Sequence, residues 1–246
     1  MALPEEFQQA GEWLFRWRSY LPLLFLGLAL YGFRGFAYPY DSRVLEQIWE
    51  LACLAVALGG QAIRIYTAGY VAAGTSGRAT KRQVAQGLNT RGLYSIVRHP
   101  LYLGIFFIWL GVSLFPRQGW ITLVMGLVFW LYYERIMYAE EVFLRQQFGD
   151  VFDEWAARTP AFIPHRQNWL APELPFSWKA ALAREYATFF AIVAVFTFLA
   201  VIARLAGEGS WRPGFLWETL FGLSLIFYLV VRFLKKKTQV LKVEGR

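Results

Sequence analysis

The stretch YSIVRHPLYLG, residues 94–104, sets an arginine, a histidine and two tyrosines at the head of a long apolar run. Ionisable groups at membrane depth are costly and tend to face a protein interior or a functional cavity. Pro100 suits the first turn of a helix, where its missing N–H costs nothing. Arg98 and His99 then stand at that helix's N-terminus, whose free N–H groups carry partial positive charge. The result is an anion-attracting cluster, with the Tyr102 hydroxyl and ring beside it and Gly104 allowing close approach. Taken alone, the triplet reads equally well as a positive-inside stop with a helix-starting proline.

The second candidate is the pair Glu140–Glu141, just beyond another apolar run. A solvated helix face is the default reading of such a pair. The functional reading is that one carboxylate holds a cationic group. Residues 101–115 and 120–133 are apolar runs split by Pro116–Gly119, and a hairpin of the two would fold the glutamates back onto residues 98–102. A cavity with a cationic and an acidic corner suits a zwitterionic or sulfonium-bearing ligand.

Other chemistries have little support. The only histidines are His99 and His165, Cys53 is the single cysteine, and no Cys/His cluster exists, so no metal site is expected. Ser95 lacks a Gly-x-Ser-x-Gly elbow, and no P-loop or GxGxxG stretch is present.

These residues must be positioned by membrane elements. The 246-residue chain is 57% hydrophobic with mean hydropathy +0.36, whereas soluble domains have about 45–50% apolar residues. The pattern predicts an all-α, polytopic helix bundle with about six transmembrane helices and a cytoplasmic cofactor pocket. Residues 1–19 mix Trp13 and Trp17 with Arg16 and Arg18, as in an interfacial helix. The spans fall at 20–33, 49–66, 101–115, 120–133, 189–205 and 215–234. Residues 134–158 form an amphipathic helix leaving the membrane, with a break at Gly149. The polar segment 67–92 carries Arg78, Lys81, Arg82 and Arg91. Lysine and arginine bias places it on the cytoplasmic side with both termini. The net charge of +8 fits that bias and anionic headgroups better than nucleic acid, for which no soluble basic domain exists. No cleavable signal is read, so the first span serves as its own insertion signal. Compactness and the absence of targeting features point to a bacterial inner membrane; oligomeric state is not encoded here.

LNTRGLYSIVRHPLYLG, followed by AEEVFLRQQFGDVFDEWAARTPAFIP, resembles the isoprenylcysteine carboxyl methyltransferase and phospholipid methyltransferase superfamily over roughly residues 86–164. The resemblance implies an integral membrane enzyme that uses S-adenosylmethionine. It further implies cofactor contacts from Gln86, Gly87, Leu88, Asn89, Tyr94, His99, Pro100, Leu101, Tyr102 and Glu140 or Glu141. A substrate-directed arginine near the acidic pair would be Arg135, although its spacing to the glutamates departs from the family pattern. The expected domain is one membrane unit, 1–246, with a methyltransferase core at about 78–165 and a terminal helical hairpin at about 186–237.

The implied reaction is methyl transfer to a membrane-embedded or amphiphilic acceptor entering from the bilayer: a lipid carboxylate, phosphate or amine, or a prenylcysteine-like carboxylate. Arg98, His99, Arg135 and Glu141 are the candidate catalytic residues. An anionic acceptor needs no base, whereas an amine would need one, with His99 first in line. The alternatives are an NADPH-dependent membrane reductase of isoprenoid or sterol-type lipids, and a non-enzymatic membrane scaffold.

Overall fold

The computed structural model describes all residues except 1, 19, 35, 37, 73, 76–84, 244 and 246. Arg78, Lys81, Arg82 and the expected start of the core near residue 78 lie outside the described residues. Among the residues it describes there are eight α-helices and no strand, in line with the all-α pattern. Four helices are long and apolar enough to cross a membrane: α3 (Arg43–Tyr70), α5 (Gly119–Phe148), α7 (Trp178–Glu208) and α8 (Phe215–Lys237).

Among the described residues, four of the six expected spans fall on these long helices. The other two apolar runs form α2 (Leu21–Tyr31) and α4 (Pro100–Leu114), of 11 and 15 residues. At about 1.5 Å per residue they reach roughly 17 and 22 Å, short of the ~30 Å hydrocarbon core. Both are bounded by chain chemistry. Prolines sit at the starts of both helices, and the turn after α4 holds Arg117 at φ 59°. Trp49 donates its indole N–H to the Leu114 carbonyl at 3.1 Å, satisfying one acceptor at the short helix's end.

The helix α1 (Leu3–Trp17) packs antiparallel along α5: Phe7 meets Tyr138 edge-on, Gly11 abuts the Arg135 carbonyl, and Tyr132 donates to the Leu14 carbonyl. Beside that contact α1 exposes Leu3, Trp13 and Trp17, the apolar and aromatic surface expected at a membrane interface. The amphipathic stretch after residue 134 continues α5 for four further turns. It breaks at Gly149, whose φ of 54° and ψ of −129° suit only glycine, and resumes as α6 (Asp150–Arg158).

Helix α3 is the hub. It packs closely on α4 and α7, while α4 and α7 barely touch each other. The α3–α4 crossing depends on small residues, as close helix approach in lipid usually does. A Cβ on Gly60 would lie 2.3 Å from the Gly104 carbonyl, and one on Gly111 would lie 2.5 Å from the Cys53 carbonyl. At the end of the bundle away from residues 98–102, ion pairs knit the helices. Glu46 pairs with Arg117, Glu208 takes Arg43 and Arg204, and Glu50 accepts from the Trp217 indole.

Gly60→Ala puts its methyl against backbone, not against a movable side chain. It should destabilise the bundle by about 1–3 kcal/mol, measured as a lowered thermal midpoint in detergent. Gly59→Ala, with open space at the same level of α3, should leave the midpoint nearly unchanged.

Candidate functional site

The hairpin of α4 and α5 brings the two sequence candidates together. Arg98 makes a two-pronged contact with Glu141, Nε to Oε1 at 2.8 Å and Nη2 to Oε2 at 3.2 Å. Its third nitrogen donates to the carbonyls of Ala156 at 3.0 Å and Thr159 at 2.6 Å. His99 lies between the carboxylates, with Nε2 2.9 Å from Glu141 Oε1 and Nδ1 3.6 Å from Glu140 Oε2. The Tyr102 hydroxyl donates to Glu140 Oε1 at 2.6 Å, and the Tyr102 ring stacks on the His99 ring.

Burial alone would lower the His99 pKa. Hydrogen bonds and charge from Glu140 and Glu141 outweigh it and raise the value above that of a free imidazole. With a carboxylate facing each ring nitrogen, the imidazolium is the form that satisfies both. Burial, followed by the Glu140 charge, pushes the Tyr94 phenol up, so it stays neutral.

The loop before α4 is held from the C-terminal side. The proline-rich segment after α6 runs beside residues 92–99, with Arg98 N donating to Pro160 O at 2.8 Å and His165 N to Ile96 O at 2.9 Å. Ser95 Oγ accepts from Leu170 N, and the Trp155 indole donates to the Tyr94 carbonyl, each at 2.9 Å. His165 thus has its backbone in the strap and its side chain exposed.

A cavity of about 940 Å³ fills the space between α4 and α7, with α1, α3 and α5 completing its wall. Ligand pockets span about 300–1,000 Å³, so this one has room for more than one small molecule. Its polar part includes Asn89, Tyr94, Arg98, His99, Tyr102 and Glu140. Beyond Tyr102 the wall becomes apolar through Ile105, Ile108, Trp109 and Val112 of α4 and Ile192 and Val195 of α7.

Of the residues singled out from sequence, Gly87, Leu88, Asn89, Tyr94, Arg98, His99, Leu101, Tyr102 and Glu140 line the cavity. Gln86 is exposed and turned toward Gly74. Pro100 is buried at the start of α4 without lining the space. Glu141 stands behind the wall, bound by Arg98 and His99. Arg135 is brought to neither the cavity nor the acidic pair. It lies on the α1 side of α5, its guanidinium over the Phe7 ring and one N–H on the Leu131 carbonyl at 2.8 Å.

Four charged residues that the sequence reading did not choose as site candidates do line the cavity: Arg18, which it placed in the interfacial helix, Arg64, Arg184 and Glu185. Arg64 could have been found, because it is a lone arginine in the apolar run of α3, where a charge is a functional candidate by default. The others are separated by over a hundred residues from Arg64 or lie at a helix end, and no local pattern links them.

The fold and site define a membrane protein whose cavity joins a charged, tyrosine-rich part to an apolar one. Residues 51–151 match the phospholipid methyltransferase family. The protein-S-isoprenylcysteine O-methyltransferase of Schizosaccharomyces pombe is 38% identical over 87 residues, 35% of this chain and 36% of that protein. The cobalt-zinc-cadmium resistance protein CzcN of Cupriavidus metallidurans is 40% identical over 77 residues, 31% of this chain and 35% of the relative. The nickel-cobalt-cadmium resistance protein NccN of Alcaligenes xylosoxydans xylosoxydans is 28% identical over 128 residues, 52% and 59% respectively. The chain thus spans about a third of the first two relatives' lengths and under two thirds of the third. No solved structure matches. The matched segment is homologous to a membrane methyltransferase family, as the residues 86–164 indicated, and it contains α4, α5 and most of α3.

The clamp on His99 has a pH signature. A folded-state pKa above the free value of about 6.5 means that its stabilising contribution is complete below that pH and is lost as pH rises through the folded value. In a His165→Asn background the one remaining imidazole can be followed by ¹⁵N NMR. It should titrate above 6.5, and Glu141→Gln should lower its midpoint. The thermal midpoint of the parent should fall across the same pH range, and that of the Glu141→Gln variant should fall less.

Proposed function

We propose that the cavity binds S-adenosylmethionine and that the protein transfers its methyl group to an anionic amphiphile drawn from the bilayer. The observation that carries this reading is the polar corner of His99, Tyr102 and Glu140 opening onto an apolar half of the same cavity. The homology to a methyltransferase family over residues 51–151 supports it. The whole chain is read as one membrane domain, with the methyltransferase core supplemented by helices on either side.

The residues present fit the cofactor. Glu140 is the cavity-lining carboxylate of the pair and is the candidate holder of an ammonium group. Asn89 and the main chain of Gly87 and Leu88 border the space where a nucleoside would lie. The rings of Tyr94 and Tyr102 can face a sulfonium through cation–π attraction. When bound, S-adenosylmethionine supplies an electrophilic methyl group.

The chain's own residues then align and exclude water. Arg98 is a positioning residue: its contacts to Glu141, Ala156 and Thr159 fix the loop that carries Tyr94 and His99. The imidazolium of His99 bridges the two carboxylates and keeps Glu140 oriented. Each ring nitrogen of His99 faces a carboxylate, so neither is turned to take a proton from an amine. An acceptor that already carries its negative charge, a carboxylate or phosphate, fits this site better. Donor and acceptor lose charge together in an in-line displacement, which a dry pocket favours over separated, hydrated ions, and alignment does the remainder. Lys235–Lys237 in the last turn of α8 and the arginines near residues 91–98 support a cytoplasmic position for the polar end of the cavity, by charge bias.

Calorimetric titration in detergent with S-adenosylmethionine tests the reading. The parent should bind, and Glu140→Gln should weaken binding by about tenfold or more, the loss of one charge-assisted contact. NADPH should give no heat. A parent that binds NADPH and not S-adenosylmethionine overturns the proposal.

A further inference from the structure

Arg64 stands in the C-terminal third of α3, a helix long and apolar enough to cross a membrane. Its Nε and Nη2 are gripped by Glu185 of α7 at 3.0 and 3.1 Å, and its Nη1 lies 3.5 Å from the Leu101 carbonyl. Glu185 is fixed in turn, because its own carbonyl accepts from the Gln61 amide. Such a pair would staple α3 to α7 whatever the cavity held. Three observations ask more of it.

First, Arg64 lines the cavity and keeps 15% of its side chain exposed there, whereas Glu185 keeps 3%. A guanidinium has five N–H bonds; Glu185 takes two, and the contact to Leu101 is at the limit of hydrogen-bond length. Donors remain for a ligand, and the grip of Glu185 holds them in one orientation. Second, Arg18 at the C-terminal cap of α1 and Arg184 of α7 border the same space, so arginines from three parts of the chain converge on it. Third, the side chain lies against the first turns of α4: a Cβ on Gly104 would meet Arg64 Cγ at 2.5 Å. Arg64 thus sits at the level where the wall changes from polar Tyr102 to apolar Ile105 and Ile108.

We propose that Arg64, oriented by Glu185, is the residue that positions the anionic head group of the acceptor, a single-chain amphiphile whose tail lies between α4 and α7 along Ile108, Val112 and Val195. This deepens the methyl-transfer reading and rests on it for the word acceptor, but the binding itself can be measured without turnover. A carboxylate or phosphate ester on Arg64 has its tail in the apolar half and its head beside the first turn of α4, which carries Leu101 and Tyr102. Neither Arg18, Arg184 nor Glu185 falls within the segment matched by the family.

Trp109 lines the apolar half and provides the probe. Bromine quenches indole fluorescence on contact, so a terminally brominated undecanoic acid, the corresponding undecyl phosphate and the corresponding undecylamine report occupancy. The signal is the part lost in Trp109→Phe. In the parent, one or both anions should half-saturate at a concentration about tenfold below the amine's, and Arg64→Gln should remove that preference. Comparing acid with phosphate identifies the preferred head group. Glu185→Gln keeps the hydrogen-bonding shape and removes the opposing charge, so it should tighten anion binding; a mere staple predicts no gain. Equal quenching by anions and amine in the parent, an undiminished preference in Arg64→Gln, or no tightening in Glu185→Gln overturns the assignment. S-adenosylmethionine titration of the same variants separates the two ideas. A parent that prefers the anions through Arg64 but fails to bind S-adenosylmethionine keeps the head-group site and loses the methyl-transfer reading.

Discussion

The contact between Arg98 and Glu141 is the constraint on which the site depends. It joins the loop before α4 to the far end of α5, residues separated by a complete hairpin. A partly buried arginine and carboxylate are costly to leave unpaired, so either group alone would be unfavourable where it sits. Their two-pronged geometry also fixes direction, which a single hydrogen bond would not. Arg98 extends the join to the carbonyls of Ala156 and Thr159. One guanidinium thus ties three stretches of chain around His99.

The two adjacent glutamates are separated in role by helix geometry. Neighbouring residues on an α-helix point about 100° apart. Glu141 turns toward Arg98 and His99, while Glu140 turns toward Tyr102 and the cavity. His99 touches both and transmits the order of one to the other. A pair that looks redundant in sequence is therefore one strut and one wall residue.

Much of this was legible in the sequence, for definable reasons. Apolar runs, the Pro116–Gly119 turn and the Gly149 break are local features, and α4, α5 and α6 follow them closely. The approach of Glu140 and Glu141 to residues 98–102 followed from the hairpin alone. The 15-residue length of α4 matches the apolar run at 101–115, whereas the run at 120–133 gave no sign that its helix continues unbroken to Phe148. Arg135 was drawn by its nearness in sequence to the glutamates, but its position on the helix turns it to α1. Arg18, Arg184 and Glu185 come from helices flanking the motif region, and their convergence on Arg64 depends on how α1 and α7 pack, which no spacing encodes.

The cavity's construction from two sources has an evolutionary corollary. The corner read as the donor site belongs to the inherited segment, whereas much of the opposite wall comes from α1 and α7 at either end of the chain. Under the proposed chemistry, appended helices can be exchanged or remodelled in a lineage without disturbing the machinery that grips the methyl source. Diversification of what such proteins modify would then be written in their flanks, and conservation of how they do it in the centre.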